Sequence, residues 1–115
     1  MQLSIFCISS SQSESLEIVQ SVGERLRDYV TSSEIQQLEQ YYKIDGWYKI
    51  NVNYKLKVVL TDCSAASILE SLCSQWEWLG DKQSVYSLNR EPDTVFFNSK
   101  IQFLTCYFDE FNEFK

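Results

Sequence analysis

From Gly46 to Leu60 the chain reads GWYKINVNYKLKVVL. Tyr48, Ile50, Val52, Tyr54, Leu56, Val58 and Leu60 alternate without a slip against Trp47, Lys49, Asn51, Asn53, Lys55, Lys57 and Val59. A period of two is the signature of a strand with one buried face. The run is long for one strand, and a bend or bulge is expected near Asn51–Asn53. Lys49, Lys55 and Lys57 fall on the open face, where lysines keep a sheet soluble and unaggregated. The Asp45-Gly46 pair just before the run is a hairpin-turn signal.

The flanking segments supply what such a strand packs against. LSIFCIS (Leu3–Ser9) is a short apolar run of strand type. Ser11 with Glu14 has the spacing of a capping box, which predicts a helix from there to about Val30. Val19, Val22, Gly23, Leu26, Tyr29 and Val30 share its inner face, and Glu17, Glu24 and Asp28 lie opposite. Glu24 and Asp28, four apart, form a like-charge pair. Residues 31–42 are ambiguous: Ile35, Leu38 and Tyr42 fit a short helix, while the following turn signal fits a strand.

Asp62 can cap a second helix, Cys63–Leu79, ending at Gly80. Ala65, Ile68, Leu69, Leu72, Trp76 and Leu79 form its inner stripe, and Trp78 points nearly opposite. Strand-like pieces follow at Ser84–Leu88, Val95–Phe97 and Ile101–Phe108, with a turn at Asn98-Ser99. This order predicts one domain, residues 1–115, of class α+β: two helices on one face of a mostly antiparallel sheet, in a ferredoxin-like variant with extra C-terminal strands.

Composition narrows the function. The chain has 115 residues, 44% of them hydrophobic, which is enough for one core. It has no histidine, so His-assisted nucleophiles, His metal sites and the usual neutral-pH acid–base group are excluded. No Gly-rich loop precedes a helix, so nucleotide binding there has no support. The carboxylate pairs Glu91/Asp93 and Asp109/Glu110 read as solvated loop residues. Cys7, Cys63, Cys73 and Cys106 lack zinc spacing and read as free thiols in a reducing cytoplasm. The opening residues are not those of a signal peptide, and no stretch is long enough to span a membrane. The reading is a non-enzyme with no cofactor and no metal.

The charge points to binding. Sixteen acids against ten bases give −6, distributed as −4 over residues 1–42, +3 over 43–61 and −5 over 62–115. Direct binding of nucleic acid is disfavoured, and an acidic surface for a cationic partner is favoured. The candidate partner-binding residues are Glu77, Trp78, Asp81, Glu91 and Asp93, together with Asp109, Glu110, Phe111 and Glu113 in the ending CYFDEFNEFK. Trp78 is the aromatic anchor and the acids are its steering charges.

The stretch QWEWLGDKQSVYSLNREPDTVFFNSKIQFLTCYF, in a small acidic chain of this element order, resembles the C-terminal half of immunity proteins from contact-dependent growth inhibition and related polymorphic toxin systems. The resemblance implies a cytoplasmic inhibitor that binds a cognate toxin domain, often a basic nuclease, and blocks its active site or substrate groove. The alternative is a general protein-interaction or self-associating domain, with the long alternating strand pairing across a dimer if it lies at an edge. Monomer and dimer are both open.

Overall fold

A computed structural model describes residues 1–74, 76–79, 84–88, 96–98 and 100–108. Its elements run β1 (Gln2–Ile8), α1 (Gln12–Leu26), β2 (Val30–Gln40), β3 (Trp47–Leu56), α2 (Asp62–Glu70), β4 (Glu77–Leu79), β5 (Ser84–Leu88) and β6 (Ile101–Tyr107). The strands form one sheet in the order β2-β3-β1-β6-β5-β4, with antiparallel neighbours throughout. This is an α+β fold. α1 follows β1, and α2 follows β3. The β4–β5 hairpin extends the sheet beyond β6.

The alternation in β3 does what its pattern dictates. Ile50, Val52 and Tyr54 are buried, and Lys49, Asn51 and Asn53 face the other side. Leu3 stands opposite Val52 and Cys106, and Ile5 stands opposite Ile50 and Leu104, so the three central strands present one apolar layer. Ile18, Val22 and Leu26 of α1 and Ala65, Ile68 and Leu69 of α2 join the same buried cluster. Both helices therefore cover one face of the sheet. The other face carries neither.

β3 is shorter than its pattern, ending at Leu56, and it lies between β2 and β1. It has no free edge, so it cannot pair across a dimer edge to edge. The bulge expected near Asn51–Asn53 is on the partner strand: Ile35 pairs with Val52 and Gln37 with Asn51, which leaves Gln36 as the extra residue. Residues 31–40 are thus strand. Pairing along all of β3 outweighs the helix-like spacing of Ile35 and Leu38, since Thr31, Ser32 and Ser33 are poor helix formers. The connection to β3 closes with Tyr41 N–H donating to Trp47 O at 2.8 Å, and Gly46 takes φ +82°, a left-handed conformation that suits glycine.

α1 ends at Leu26, short of Val30, and its buried residues are Ser15, Ile18, Val22 and Leu26. Val19, Gly23 and Tyr29 are only half-buried. Ser11 caps it, accepting from Glu14 N–H at 3.1 Å. Instead of closing a capping box, the Glu14 carboxylate takes Ser10 Oγ–H at 2.8 Å and Lys100 Nζ at 2.8 Å.

α2 departs further from expectation. Its cap is Thr61, not Asp62, with Ser64 completing a capping box. The helix stops at Glu70 rather than Leu79. Ser71 Oγ–H donates back to Ile68 O at 2.6 Å, and Trp76 Nε1–H turns in to donate to Leu69 O at 2.8 Å. The first satisfies a carbonyl that a continuing helix would have used, and the second adds to Leu69 O, which also accepts Leu72 and Cys73 N–H. Phe97 N–H donates to Leu72 O at 3.1 Å, which replaces the next helical turn with a contact to the 96–98 segment. Phe96 pairs with Cys73 as an isolated bridge and belongs to no strand.

Candidate functional site

The sequence-predicted site does not come together within the described residues. Glu77 is exposed in β4. Trp78 lies in β4, paired with Val85, and not on the outer side of a helix. Asp81, Glu91, Asp93, Asp109, Glu110, Phe111 and Glu113 lie outside the described residues. The strand before the tail is described: Tyr107 is 41% exposed and Phe108 is fully buried, so the two take opposite sides as alternation requires.

An acidic surface is present elsewhere. α1 packs against β2 and β3, and the six acids of residues 1–42 all fall on α1, β2 or the two residues that follow α1. Glu17, Glu24, Asp28, Glu34 and Glu39 are exposed. Glu14 is tied to Lys100, and both groups are shifted by the contact: the ammonium and Ser10 hold the Glu14 carboxyl below its ordinary range, and the carboxylate raises Lys100. Arg25 sits over the Phe97 ring at 5.1 Å. Glu17, Glu24 and Asp28 therefore present carboxylates to solvent on the α1 side, while Glu34, opposite Asn53, and Glu39, opposite Lys49, stand on the helix-free side of the sheet.

The helix-free face of the sheet is a second surface. Register places Phe6, Ile8, Lys49, Trp47 and Phe103 on it, with Tyr41 beside Trp47. Phe6 packs edge-on against Tyr41 at 5.0 Å and Phe103 at 5.2 Å between centroids, and Tyr41 stacks on Trp47 at 6.4 Å. Lys49 Nζ lies over the Phe6 ring at 5.7 Å. Beside these rings runs a directed row of hydrogen bonds across three strands. Ser4 Oγ–H donates to Asn51 Oδ1 at 2.7 Å, and Asn51 Nδ2–H donates to Gln37 Oε1 at 2.6 Å. Gln37 in turn donates to Glu39. Ile8 is 48% exposed, and Tyr42, at the adjoining turn, is 84% exposed. Sequence reading missed this face. The signal that could have found it is the even-numbered register of β1: Phe6 and Ile8 are large apolar residues out of phase with Leu3, Ile5 and Cys7.

Among the described residues no group of three or more His, Cys, Asp or Glu side chains could hold a metal ion. All four cysteines are free thiols, with Cys63 exposed and Cys7, Cys73 and Cys106 buried. Burial pushes the Cys7 thiol up to about 11 and raises Cys106 further, so neither is poised as a nucleophile. Among the described residues no helix is long and apolar enough to cross a membrane. Comparison with protein families, with curated proteins and with solved structures finds no match to this chain.

Proposed function

We propose that the protein is an immunity-type inhibitor, a non-enzymatic binding domain that neutralises a cationic toxin domain by covering its active site or substrate groove. One observation carries this reading: the exposed carboxylates on and just after α1, Glu17, Glu24 and Asp28, with Glu14 paired to Lys100. A nuclease holds its substrate with Lys and Arg, so a rigid surface of carboxylates enters the same field, speeds encounter and excludes nucleic acid. Such an inhibitor needs no catalytic group of its own. Free, buried thiols suit a reducing, cytoplasmic site of action. The strand order β2-β3-β1-β6 supports a ferredoxin-like core. Asp109, Glu110, Phe111 and Glu113 of the C-terminal tail are further contacts in this proposal.

The test is direct. The purified chain is mixed with the basic toxin domain encoded in the neighbouring reading frame, and toxin activity and complex mass are measured. Stoichiometric inhibition, weakened by added salt, is the expected result. Full toxin activity at saturating inhibitor would end the proposal.

A further inference from the structure

We infer that the helix-free sheet face is a homodimer interface: two copies of this chain pack face to face through it and leave the α1 carboxylates Glu17, Glu24 and Asp28 outside.

Three observations select a second copy as the occupant. The first is apolar content. Phe6, Trp47 and Phe103 stand on this face with Ile8 at 48% exposure and Tyr107 at 41%. A monomer leaves this aromatic area in water, and a stacked sheet removes it.

The second is charge. Register puts Lys49 and Lys55 of β3, Glu34 and Glu39 of β2 and Glu77 of β4 on this face, so it sums to −1 on a chain of net −6. Two copies approaching by their acidic flanks repel; by this face the net repulsion is small. A cationic partner gains little from a nearly neutral face, and a polyanion meets Glu34, Glu39 and Glu77 in a chain that already repels it. A surface carrying both signs suits its own copy, since each lysine has a glutamate to meet.

The third is size and rigidity. Six strands about 4.8 Å apart and about seven residues long make a face of roughly 650 Å2 before side-chain relief is counted, close to the roughly 800 Å2 that each partner gives to a standard interface. The Ser4–Asn51–Gln37 row fixes the polar side chains in the middle of that area, so little side-chain freedom remains to be lost on association.

The inference is tested on the whole chain alone, with no toxin present. Light scattering behind size exclusion at concentrations up to about 100 µM should give twice the 13.5 kDa of one chain. Ile8→Asp and Tyr107→Asp, each at a half-exposed position, should return the mass to that of one chain with unchanged far-ultraviolet circular dichroism. A wild-type chain that stays at single-chain mass overturns the inference, as does a dimer that survives both substitutions. Spin labels report independently of those variants. In a Cys63→Ser background, a label at Thr105→Cys should show dipolar broadening between copies, and one at Glu17→Cys should not. Broadening at Glu17 alone would place the interface on the flank and overturn the assignment. Glu24→Lys with Asp28→Lys should leave the mass unchanged while slowing toxin association, so this inference and the toxin-binding proposal can fail separately.

Discussion

Ile35 and Leu38 face the same side of the sheet, one opposite Val52 and the other opposite Ile50, because Gln36 is an extra residue in β2 with no partner in β3. Residues three apart in a regular strand would point to opposite faces. The bulge restores the phase and leaves Leu38 packed against the core. Deleting Gln36 leaves Ile35 and Leu38 two apart, opposite the same partners in a regular ladder, so both keep their face. The expected change is within about 1 kcal/mol, seen as a urea midpoint close to that of the wild type. A loss of more than about 3 kcal/mol would mean that the bulge itself is needed to hold β2.

Tyr54 is 2% exposed, and its hydroxyl is the one buried side-chain polar atom without a hydrogen-bond partner among the described residues. Burial raises its pKa. Tyr54→Phe removes an unsatisfied group and keeps the ring, so it should leave stability unchanged or raise it by about 1 kcal/mol. Tyr54→Ala should cost about 3–5 kcal/mol. Denaturant midpoints of the two variants, compared with wild type, check both.

One of the four thiols is accessible. A thiol-exchange reagent at neutral pH should titrate Cys63 alone in the native protein and all four cysteines after denaturation. Rapid native reaction of two or more thiols would show that the core around Cys7 and Cys106 opens readily.

Those same thiols, with Tyr54, bear on stability at alkaline pH. Cys7 is raised from 9.0 to about 11, and Cys106 is raised as well. Above pH 9 the unfolded chain loses these protons while the folded chain keeps them, so unfolding gains and stability falls as pH rises. Thermal melts between pH 8 and pH 10.5 should show a progressive drop, flattened in Cys106→Ala after correction for its own lower baseline.

The Glu14–Lys100 contact has the opposite pH sense on its acid side. Glu14 is lowered, so whatever stability the contact gives is present at neutral pH and fades as pH falls through the carboxylate range. Both groups are exposed to solvent, so the effect is small and salt-sensitive. Glu14→Gln should flatten the acid limb of the melting curve and, because it also releases Lys100, slightly flatten the alkaline limb.

β3 was legible because its alternation reports one buried face, and nothing in Trp47–Leu56 interrupts it. β5 was legible too, since turn chemistry bounds Ser84–Leu88. β2 was not, because the bulge at Gln36 converts a period of two into a spacing of three, which a helix also produces. Ile101 and Leu104 of β6 show the same disguise around Gln102. The end of α2 was misread because Leu72, Trp76 and Leu79 continue a helical stripe. What stops it is a contact distant in sequence, Phe97 on Leu72, together with the indole of Trp76 on Leu69. The acidic character of the chain was readable as a charge sum, but the division of its acids between the α1 side and the helix-free face required the fold.

The strand order also bears on how this chain is made. β1 and β6 are the two central neighbours of the sheet, yet they come from opposite ends of the sequence. During vectorial synthesis the β2–β3 hairpin can form and β1 can dock on it early. The β4–β5 hairpin, completed before β6, has no place in the sheet until β6 arrives between β1 and β5. A nascent or prematurely terminated chain is therefore missing its middle rather than its margin. It displays the open edge of β1 to whatever strand it meets first.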